Sequence, residues 1–193
     1  MNILGILGSP HSKGNTPFAV KCVLETMDLD RFNTRFISLA GKNTHPCTGC
    51  MTCAAERKCI YDDDMGEILE SLCWLYGLII GSPVFWGMVS GQLKIMMDRC
   101  VLLHPSYEEP MEMTGKVGGG IACTGFRNGG QELTLQNIQT FLLQQNMQAF
   151  NDGTGYSHSG GAIAGEAHED TLALKTVENL AHNLARVVKT QVV

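Results

Sequence analysis

The sequence has few charged side chains and no excess of basic ones. Charged residues make up 17% of its 193 residues, and 14 basic against 19 acidic side chains give a net charge of −5 at pH 7. Because a protein that binds a nucleic acid backbone normally presents a basic face, this balance argues against nucleic acid as a partner. No apolar run reaches the roughly 20 residues needed to span a bilayer. The N-terminus lacks the basic stretch and small-residue cleavage site of a signal peptide, so we expect a cytoplasmic protein without membrane contact.

The sequence also lacks two common glycine-rich nucleotide-binding motifs. A P-loop requires a glycine, four residues and then Gly-Lys followed by Ser or Thr. In the loop GSPHSKGNT, the glycine at position 14 comes one residue late, and Asn15 follows it in place of lysine. A dinucleotide fingerprint fails because Gly5 and Gly8 are three residues apart and the glycines at 118–120 lie inside a strand pattern. Both motifs are therefore rejected by their spacing.

What the sequence does contain is a regular alternation of strand and helix patterns. Strand patterns cover residues 2–7, 34–39, 76–81, 116–124 and 147–151, and helical patterns cover about 17–27, 64–73, 90–103, 131–146 and 169–190. Such alternation predicts a parallel sheet with helices on both faces. Five strands favour an α/β flavodoxin-like fold, doubly wound with strand order 2-1-3-4-5, over the six-stranded Rossmann order. We expect a single domain over residues 1–193, with a cysteine-rich loop at 41–63 after strand 2.

Two local features refine this arrangement. Asp64, followed by Glu67 three residues later, has the pattern of a capping box, in which two side chains satisfy free N–H groups at a helix start. Residues 152–166 are rich in Gly and Ser, and we expect them to form a loop between the fifth strand and the last helix.

Ligands of this fold bind beyond the carboxyl ends of the strands, at the switch point between strands one and three. Three loops are expected to converge there, at residues 8–16, 82–89 and 124–131. The first loop leads into a helix, whose free N–H groups and dipole favour a bound phosphate. Its candidate phosphate-binding residues are Ser9, His11, Ser12, Gly14, Asn15 and Thr16. The alternative is an ordinary polar loop that caps the helix.

The other two loops carry side chains suited to a flat ring. Phe85 and Trp86 can stack on a planar ring system, and the glycine after them lets backbone N–H groups approach its polar edge. Arg127 can face the anionic form of a reduced ring or a substrate charge. The candidate ring-binding residues are Pro83, Val84, Phe85, Trp86 and Gly87, with Thr124, Gly125, Arg127 and Gly130. The alternatives are packed aromatic residues and a solvated arginine.

The strongest motif is a run of four cysteines in the loop 41–63. Cys47, Cys50, Cys53 and Cys59 follow the pattern C-x2-C-x2-C-x5-C. Two-residue gaps bring successive sulfurs to one centre, and four thiolates are the ligands of a [4Fe–4S] cubane. A zinc site stays open, although zinc sites usually pair two separated C-x2-C motifs, and so does a set of free thiols or a disulfide, which a reducing compartment opposes. The remaining cysteines are expected to be buried structural thiols: Cys22, Cys73, Cys100 and Cys123.

Together these motifs resemble those of the iron–sulfur flavoproteins, a branch of the NADPH-dependent FMN reductase group. The resemblance rests on GSPHSKGNT, on PCTGCMTCAAERKC followed by YDDDM, on GSPVFWG followed by GQLKIMMDR, and on GFRNGGQE. It implies one FMN and one [4Fe–4S] cluster in each subunit of a homodimer or homotetramer. It also implies that electrons pass from a ferredoxin-like donor through the cluster to FMN and on to a small acceptor such as O2 or H2O2. The pair Phe85-Trp86 departs from the family, in which a Tyr and a smaller residue are more usual.

The resemblance further implies an oxidoreductase in which flavin N5 carries the chemistry, so no catalytic side chain is expected. The main alternative is an NAD(P)H-dependent FMN or quinone reductase, with a structural or redox-active cysteine loop. A third hypothesis is a zinc-bearing binding module without enzymatic activity.

Overall fold

The computed structural model describes residues 1–103 and 112–190. In these ranges the strands are β1 (Asn2–Leu7), β2 (Asn33–Ser38), β3 (Gly77–Pro83), β4 (Val117–Thr124), β5 (Gln148–Ala149) and β6 (Gly161–Ala164). The helices are α1 (Asn15–Leu29), α2 (Thr52–Glu56), α3 (Met65–Trp74), α4 (Gly91–Arg99), α5 (Gln131–Gln144) and α6 (Thr171–Thr190), with a 3-10 turn (Cys100–Leu103) after α4. None of the helices in these ranges combines the length and apolar character needed to cross a membrane.

All neighbouring strands run parallel, in the order β2-β1-β3-β4-β5. This order confirms the predicted flavodoxin-like arrangement. β3 lies at the centre, where Gly77 pairs with Ile3 of β1 on one side and with Val117 of β4 on the other. Strands that are buried on both faces consist of continuous small and apolar residues, and the sequences of β1 and β3 meet this requirement.

The fifth strand is split in two, which corrects two expectations from the sequence. β5 contains two residues, paired with Val117 and Gly118, rather than the expected 147–151. The chain then leaves the sheet, returns to the same edge and forms β6 there. β6 lies inside the expected loop 152–166 and pairs with residues 121–124 of β4. The buried Asp152 closes this excursion by accepting a hydrogen bond from the backbone N–H of His158. The four small residues of β6 are too short a run to show a strand period in the sequence.

The sheet separates two hydrophobic cores. One lies against α3, α4 and α5 and contains Ile68, Leu93 and Ile138 among its buried side chains. The other lies against α1 and α6 and contains Val20 and Leu184. Since both faces of the sheet are covered in this way, the edge at which the strands end is left to the connecting loops.

Two helix starts next to the predicted site differ in how they are capped. Ser90 precedes α4, and its hydroxyl oxygen accepts a hydrogen bond from the N–H of Leu93 at 3.2 Å, so this helix begins where the sequence predicted. The predicted capping box of Asp64 and Glu67 is wrong, because Asp64 accepts from the N–H of residue 43 and Glu67 pairs with residue 42. At the start of α3 it is instead Asp63 that binds a free backbone group, by accepting a hydrogen bond from the N–H of residue 65 at 3.1 Å.

Candidate functional site

The three predicted loops meet at the carboxyl edge of β1, β3 and β4. The N–H of Gly8 donates to the carbonyl of Gly81 at 2.7 Å, which joins the first loop to the end of β3. The hydroxyl of Ser90 donates to the carbonyl of Gly8, so the first loop is also attached to the start of α4. The second and third loops touch directly, because a Cβ added to Gly130 would lie 2.7 Å from the Cα of Gly87. The sequence therefore located these loops correctly relative to one another.

The first loop presents the uncapped N-terminus of α1. Gly14 precedes this 15-residue helix with a φ of 115°, and no side chain caps the first turn. The side chain of Ser9 is buried, and its oxygen accepts a hydrogen bond from the N–H of His11 at 3.1 Å, while Ser12 is exposed. An uncapped helix start offers free N–H groups and a positive dipole end, which is the chemistry of an anion site.

Two residues of the first loop also have structural roles that the sequence did not indicate. The Asn15 amide donates to the carbonyl of Gly165 at 2.7 Å and accepts from the N–H of Ala167 at 2.9 Å, which ties the loop to the segment between β6 and α6. Thr16 is buried and lies against Cys123 at the end of β4. Burial raises the pKa of the Cys123 thiol to about 12, although the Thr16 hydroxyl lowers it in part. This thiol therefore stays protonated at neutral pH.

The second loop is a tight turn that displays an indole ring. The N–H and carbonyl of Phe85 both bond to Met88 at 3.0 Å, and Trp86 and Gly87 form the tip with φ values of 55° and 75°. Positive φ at both central residues is the geometry of a type I′ turn, and a tryptophan rarely adopts it. Trp86 is fully exposed and Phe85 is 46% exposed, so neither is packed among the described residues as the alternative interpretation required. Pro83 and Val84 are half-buried at the base of the turn.

The third loop is held by hydrogen bonds with Gln131 and by an ion pair with the start of α6. The Gln131 amide accepts from the N–H of Gly129 at 3.0 Å and donates to the carbonyl of Phe126 at 3.4 Å. The exposed Arg127 pairs with the buried Asp170 at 3.3 Å, which places its guanidinium toward α6. Thr124 ends β4 half-buried, and Gly125 has no atom within 4 Å of the position a Cβ would take.

The four cysteines of the loop 41–63 line a single cavity of about 340 Å³. Backbone conformations with positive φ at Gly49, Met51 and Arg57 turn the chain around it, and the short helix α2 lies between the last two of these. A side-chain hydrogen bond from Thr52 lowers the pKa of the Cys50 thiol. All four cysteines of the motif therefore line one cavity, although the described side chains do not converge on one centre as the spacing predicted.

In the described ranges, no three His, Cys, Asp or Glu side chains converge closely enough to hold one metal ion. Structural zinc would require four ligands on one tetrahedral centre. A cubane cluster places each of its four thiolates on a different iron, so its ligands surround a volume rather than a point. The four cysteines that line this cavity match the number and kind of ligands that a cluster requires.

A buried ion pair beside this cavity was not anticipated from the sequence. Arg99, 2% exposed, donates from Nη1 to Asp63 at 2.9 Å and from Nη2 to the same carboxylate at 3.1 Å. Nη1 also donates to the carbonyl of His45 at 2.9 Å. Arg99 and Asp63 are 36 residues apart, so no local pattern connects them. The one available signal was an arginine close to the apolar positions Met96 and Met97 of the helix pattern.

The remaining cysteines follow the prediction only in part. Cys100 and Cys123 are buried, as expected, and burial raises the pKa of Cys100 far above its usual value. Cys22 is half-buried. Cys73 is exposed, so the prediction that it is a buried thiol is wrong; it lies in the last turn of α3, where the helix face turns toward solvent.

Comparison with known proteins gives matches over most of the chain. A family model described as NADPH-dependent FMN reductase matches residues 1–162. The chain is 41% identical to an iron–sulfur flavoprotein of Methanocaldococcus jannaschii, with 98% of both chains covered. It is 34% identical to an iron–sulfur flavoprotein of Methanosarcina thermophila, covering 98% of this chain and 96% of that one. Its fold is similar to that of a WrbA-like flavodoxin from Agrobacterium tumefaciens, with a TM-score of 0.70, 16% identity and 98% of both chains covered.

The family model covers the three loops and the cysteine loop. The two sequence relatives extend the match over almost the whole chain. The protein is accordingly a flavin-dependent oxidoreductase that uses FMN. It belongs to the NADPH-dependent FMN reductase family, in the branch formed by the iron–sulfur flavoproteins.

Proposed function

We propose that this protein is an electron-transfer flavoprotein that carries FMN at the three loops and a [4Fe–4S] cluster at the cysteine loop. The observation that carries the proposal is the single cavity lined by Cys47, Cys50, Cys53 and Cys59. The names of the relatives, iron–sulfur flavoproteins, agree with it. When bound, the cluster supplies one-electron steps and FMN collects two electrons at N5 for transfer to an acceptor.

The first loop holds the phosphate group of FMN in this proposal. The N-terminus of α1 provides N–H donors. Gly14 lies directly before the helix, and Thr16 lies in its first turn. Ser12 is exposed and free to turn toward a phosphate, whereas Ser9 orients the backbone of His11. Asn15 holds the loop against the β6–α6 connection and has a second amide hydrogen for the ligand.

The second and third loops frame the flavin ring. The indole of Trp86 and the ring of Phe85 provide apolar faces at the end of β3, on a turn based on Pro83 and Val84. Gly87 and Gly130 bring two stretches of backbone close together, so that N–H groups can face the polar edge of the ring. The other proposed ring contacts, Thr124, Gly125 and Arg127, belong to the third loop. Together the residues of the two loops orient the ring and exclude water from it. None of them is assigned a role in proton transfer.

A ferredoxin-like protein is the proposed electron donor, and a small molecule such as O2 or H2O2 is the proposed acceptor. A second candidate function is reduction of a flavin or quinone by NAD(P)H, which the description of the matching family model favours. Stopped-flow mixing with NADPH separates the two. Rapid bleaching of the bound FMN supports the reductase, and a flavin that is reduced only through a ferredoxin supports the electron-transfer function.

We further propose a homodimer or homotetramer in the cytoplasm, formed by a single domain over residues 1–193. Exposed apolar side chains at and around the ring loops support self-association: Phe85, Trp86, Met88, Phe126 and Leu133. Their cluster is the kind of surface that oligomers bury. Light scattering on the purified protein tests the assembly, and a monodisperse monomer would contradict it.

The cluster is tested by anaerobic reconstitution followed by iron, sulfide and zinc analysis of the same sample. About four irons per chain are expected, as a cubane requires, with broad absorbance beyond the flavin bands. Cys47→Ser should abolish full iron uptake, while Cys73→Ser, which changes an exposed cysteine outside the cavity, should retain it. Wild-type protein that retains FMN but takes up no iron after reconstitution would refute the cluster.

A further inference from the structure

The wall of the cysteine cavity contains a buried positive charge. Arg99 lines the cavity together with the four cysteines, although its side chain is only 3% exposed. Two of its nitrogens are occupied by Asp63 and by the carbonyl of His45. The third, Nε, is buried and has no hydrogen-bond partner among the described residues. A buried N–H group without a partner costs free energy, so its retention calls for an acceptor at this site.

The negative partner of Arg99 is held away from the same cavity. Asp63 has a side chain with no exposed surface and accepts hydrogen bonds from the N–H of His45 at 2.9 Å and from the N–H of Met65 at 3.1 Å, besides those from Arg99. It lines a neighbouring cavity, whose wall also includes Arg99 and Cys59. A guanidinium keeps its positive charge at every pH that a protein experiences. Of the two opposite charges, the guanidinium lines the cavity of the four cysteines and the carboxylate does not.

The same group of residues fixes both ends of the cysteine loop. His45, two residues before Cys47, stacks on Tyr61, two residues after Cys59, with ring centroids 4.6 Å apart and planes 5° from parallel. The guanidinium of Arg99 lies over the Tyr61 ring at 5.4 Å. Since Arg99 is the last residue of α4, it connects the cysteine loop to the helix that follows the ring-binding turn.

We propose that Arg99 is a positioning residue for the cluster, with its guanidinium charge and free Nε–H directed to the thiolates and sulfides in the cavity. This inference rests on the proposed function. Reduction adds negative charge to the cluster, so a fixed positive charge and a hydrogen bond at its edge favour the reduced state and raise its potential. Asp63 holds the guanidinium in place, and its own charge, which does not line this cavity, opposes the effect only in part.

The test is a potentiometric titration of the reconstituted protein, monitored by electron paramagnetic resonance after iron content has been measured. The double variant Arg99→Gln with Asp63→Asn removes both charges without leaving either one buried alone. We expect its equilibrium constant for cluster reduction to fall at least tenfold, which is 59 mV for a one-electron couple. Arg99→Lys keeps the charge and loses the planar set of donors, so its potential should fall by less. The matched control is Lys189→Gln, which removes the cation of the exposed Lys189–Asp30 pair on the opposite face of the sheet.

A double variant with full iron content and the wild-type potential would overturn the inference, because a purely structural role leaves the potential of a bound cluster unchanged. If the double variant loses its iron, Asp63→Asn decides the question, because it keeps the guanidinium and removes the opposing charge. We then expect a higher potential, and an unchanged or lower potential overturns the inference. Failure of the proposed function is recognised separately, since the wild-type protein itself then binds no iron.

Discussion

At the scale of single residues, Gly130 is the point where the second and third loops touch. Its φ is 99°, and a side chain there would meet the backbone of Gly87. We expect Gly130→Ala to lower the free energy of unfolding by about 1–3 kcal/mol, because left-handed backbone alone costs about 1–2 kcal/mol for an alanine. Urea denaturation measures the change. Gly125→Ala is the matched control in the same loop, since a Cβ there meets open space, and an equal loss in both variants would contradict the argument.

Asp63 should give the protein a specific dependence on pH. Burial raises the pKa of this carboxyl, but hydrogen bonds from Arg99 and His45 hold it well below its usual range. A carboxylate whose pKa is lowered by folding stabilises the protein above the unfolded-state pKa, near 4, and this stabilisation is lost as the pH falls toward the folded-state value. Asp63→Asn should therefore cost about 3–5 kcal/mol at pH 7, the usual cost of breaking a buried pair, and less at pH 3.

The measurement is urea unfolding of iron-free protein at pH 7, 5 and 3. Asp30→Asn provides the comparison, because Asp30 forms an exposed pair with Lys189. Such pairs contribute about 1 kcal/mol or less. A similar, pH-independent loss in both variants would show that Asp63 contributes no more than a surface charge.

At the scale of elements, the split fifth strand depends on one short connection. Asp152 accepts from the N–H of His158 and contacts its ring nitrogen, and this closes the excursion that brings β6 back to β4. We expect Asp152→Ala to cost about 1–3 kcal/mol, as expected for a buried N–H left without its acceptor. Hydrogen exchange should become faster at the amides of 161–164 while β1 and β3 keep their protection. Uniformly faster exchange across the sheet would contradict this local role, and Asp30→Ala serves as the control.

The helices and strands that were predicted correctly share a physical cause. β1 and β3 are continuous small and apolar runs because both of their faces are buried, and α4 begins directly after Ser90 because the hydroxyl of that residue caps its first turn. The elements that were missed show no periodic pattern of apolar residues in the sequence. α2 is a helix of five residues without buried side chains, and β6 exists through its pairing with β4.

At the scale of the whole molecule, ligand binding should raise the free energy of unfolding and the Tm. A ligand present at 100 times its dissociation constant adds about 2.7 kcal/mol to the native state. For a chain of this size that corresponds to a rise in Tm of about 5–10 °C with FMN. Riboflavin, which lacks the phosphate, should stabilise the protein less, because the uncapped N-terminus of α1 then has no anion to bind. Thermal unfolding with each ligand at equal concentration measures this, and equal shifts would contradict a phosphate site in the first loop.

The sequence predicted which loops form the candidate site, but not the contacts that their side chains make. Parallel strands end at one edge, so the alternation of elements alone brought loops 8–16, 82–89 and 124–131 together. The attachment of Asn15 to the β6–α6 segment involves residues about 150 positions apart. The exposure of Trp86 depends on a turn conformation that tryptophan rarely adopts, and sequence preferences predict the opposite.

The sequence by itself determined the order of the strands, the position of the three loops and the set of four cysteines, because these follow from periodicity and spacing along the chain. Only the tertiary structure decided what surrounds the cysteines. The Arg99–Asp63 pair, the stacking of His45 on Tyr61 and the cavity between them join residues that are distant in sequence. Contacts of this kind depend on how α4 packs against the returning loop, and no periodicity along the chain records that packing.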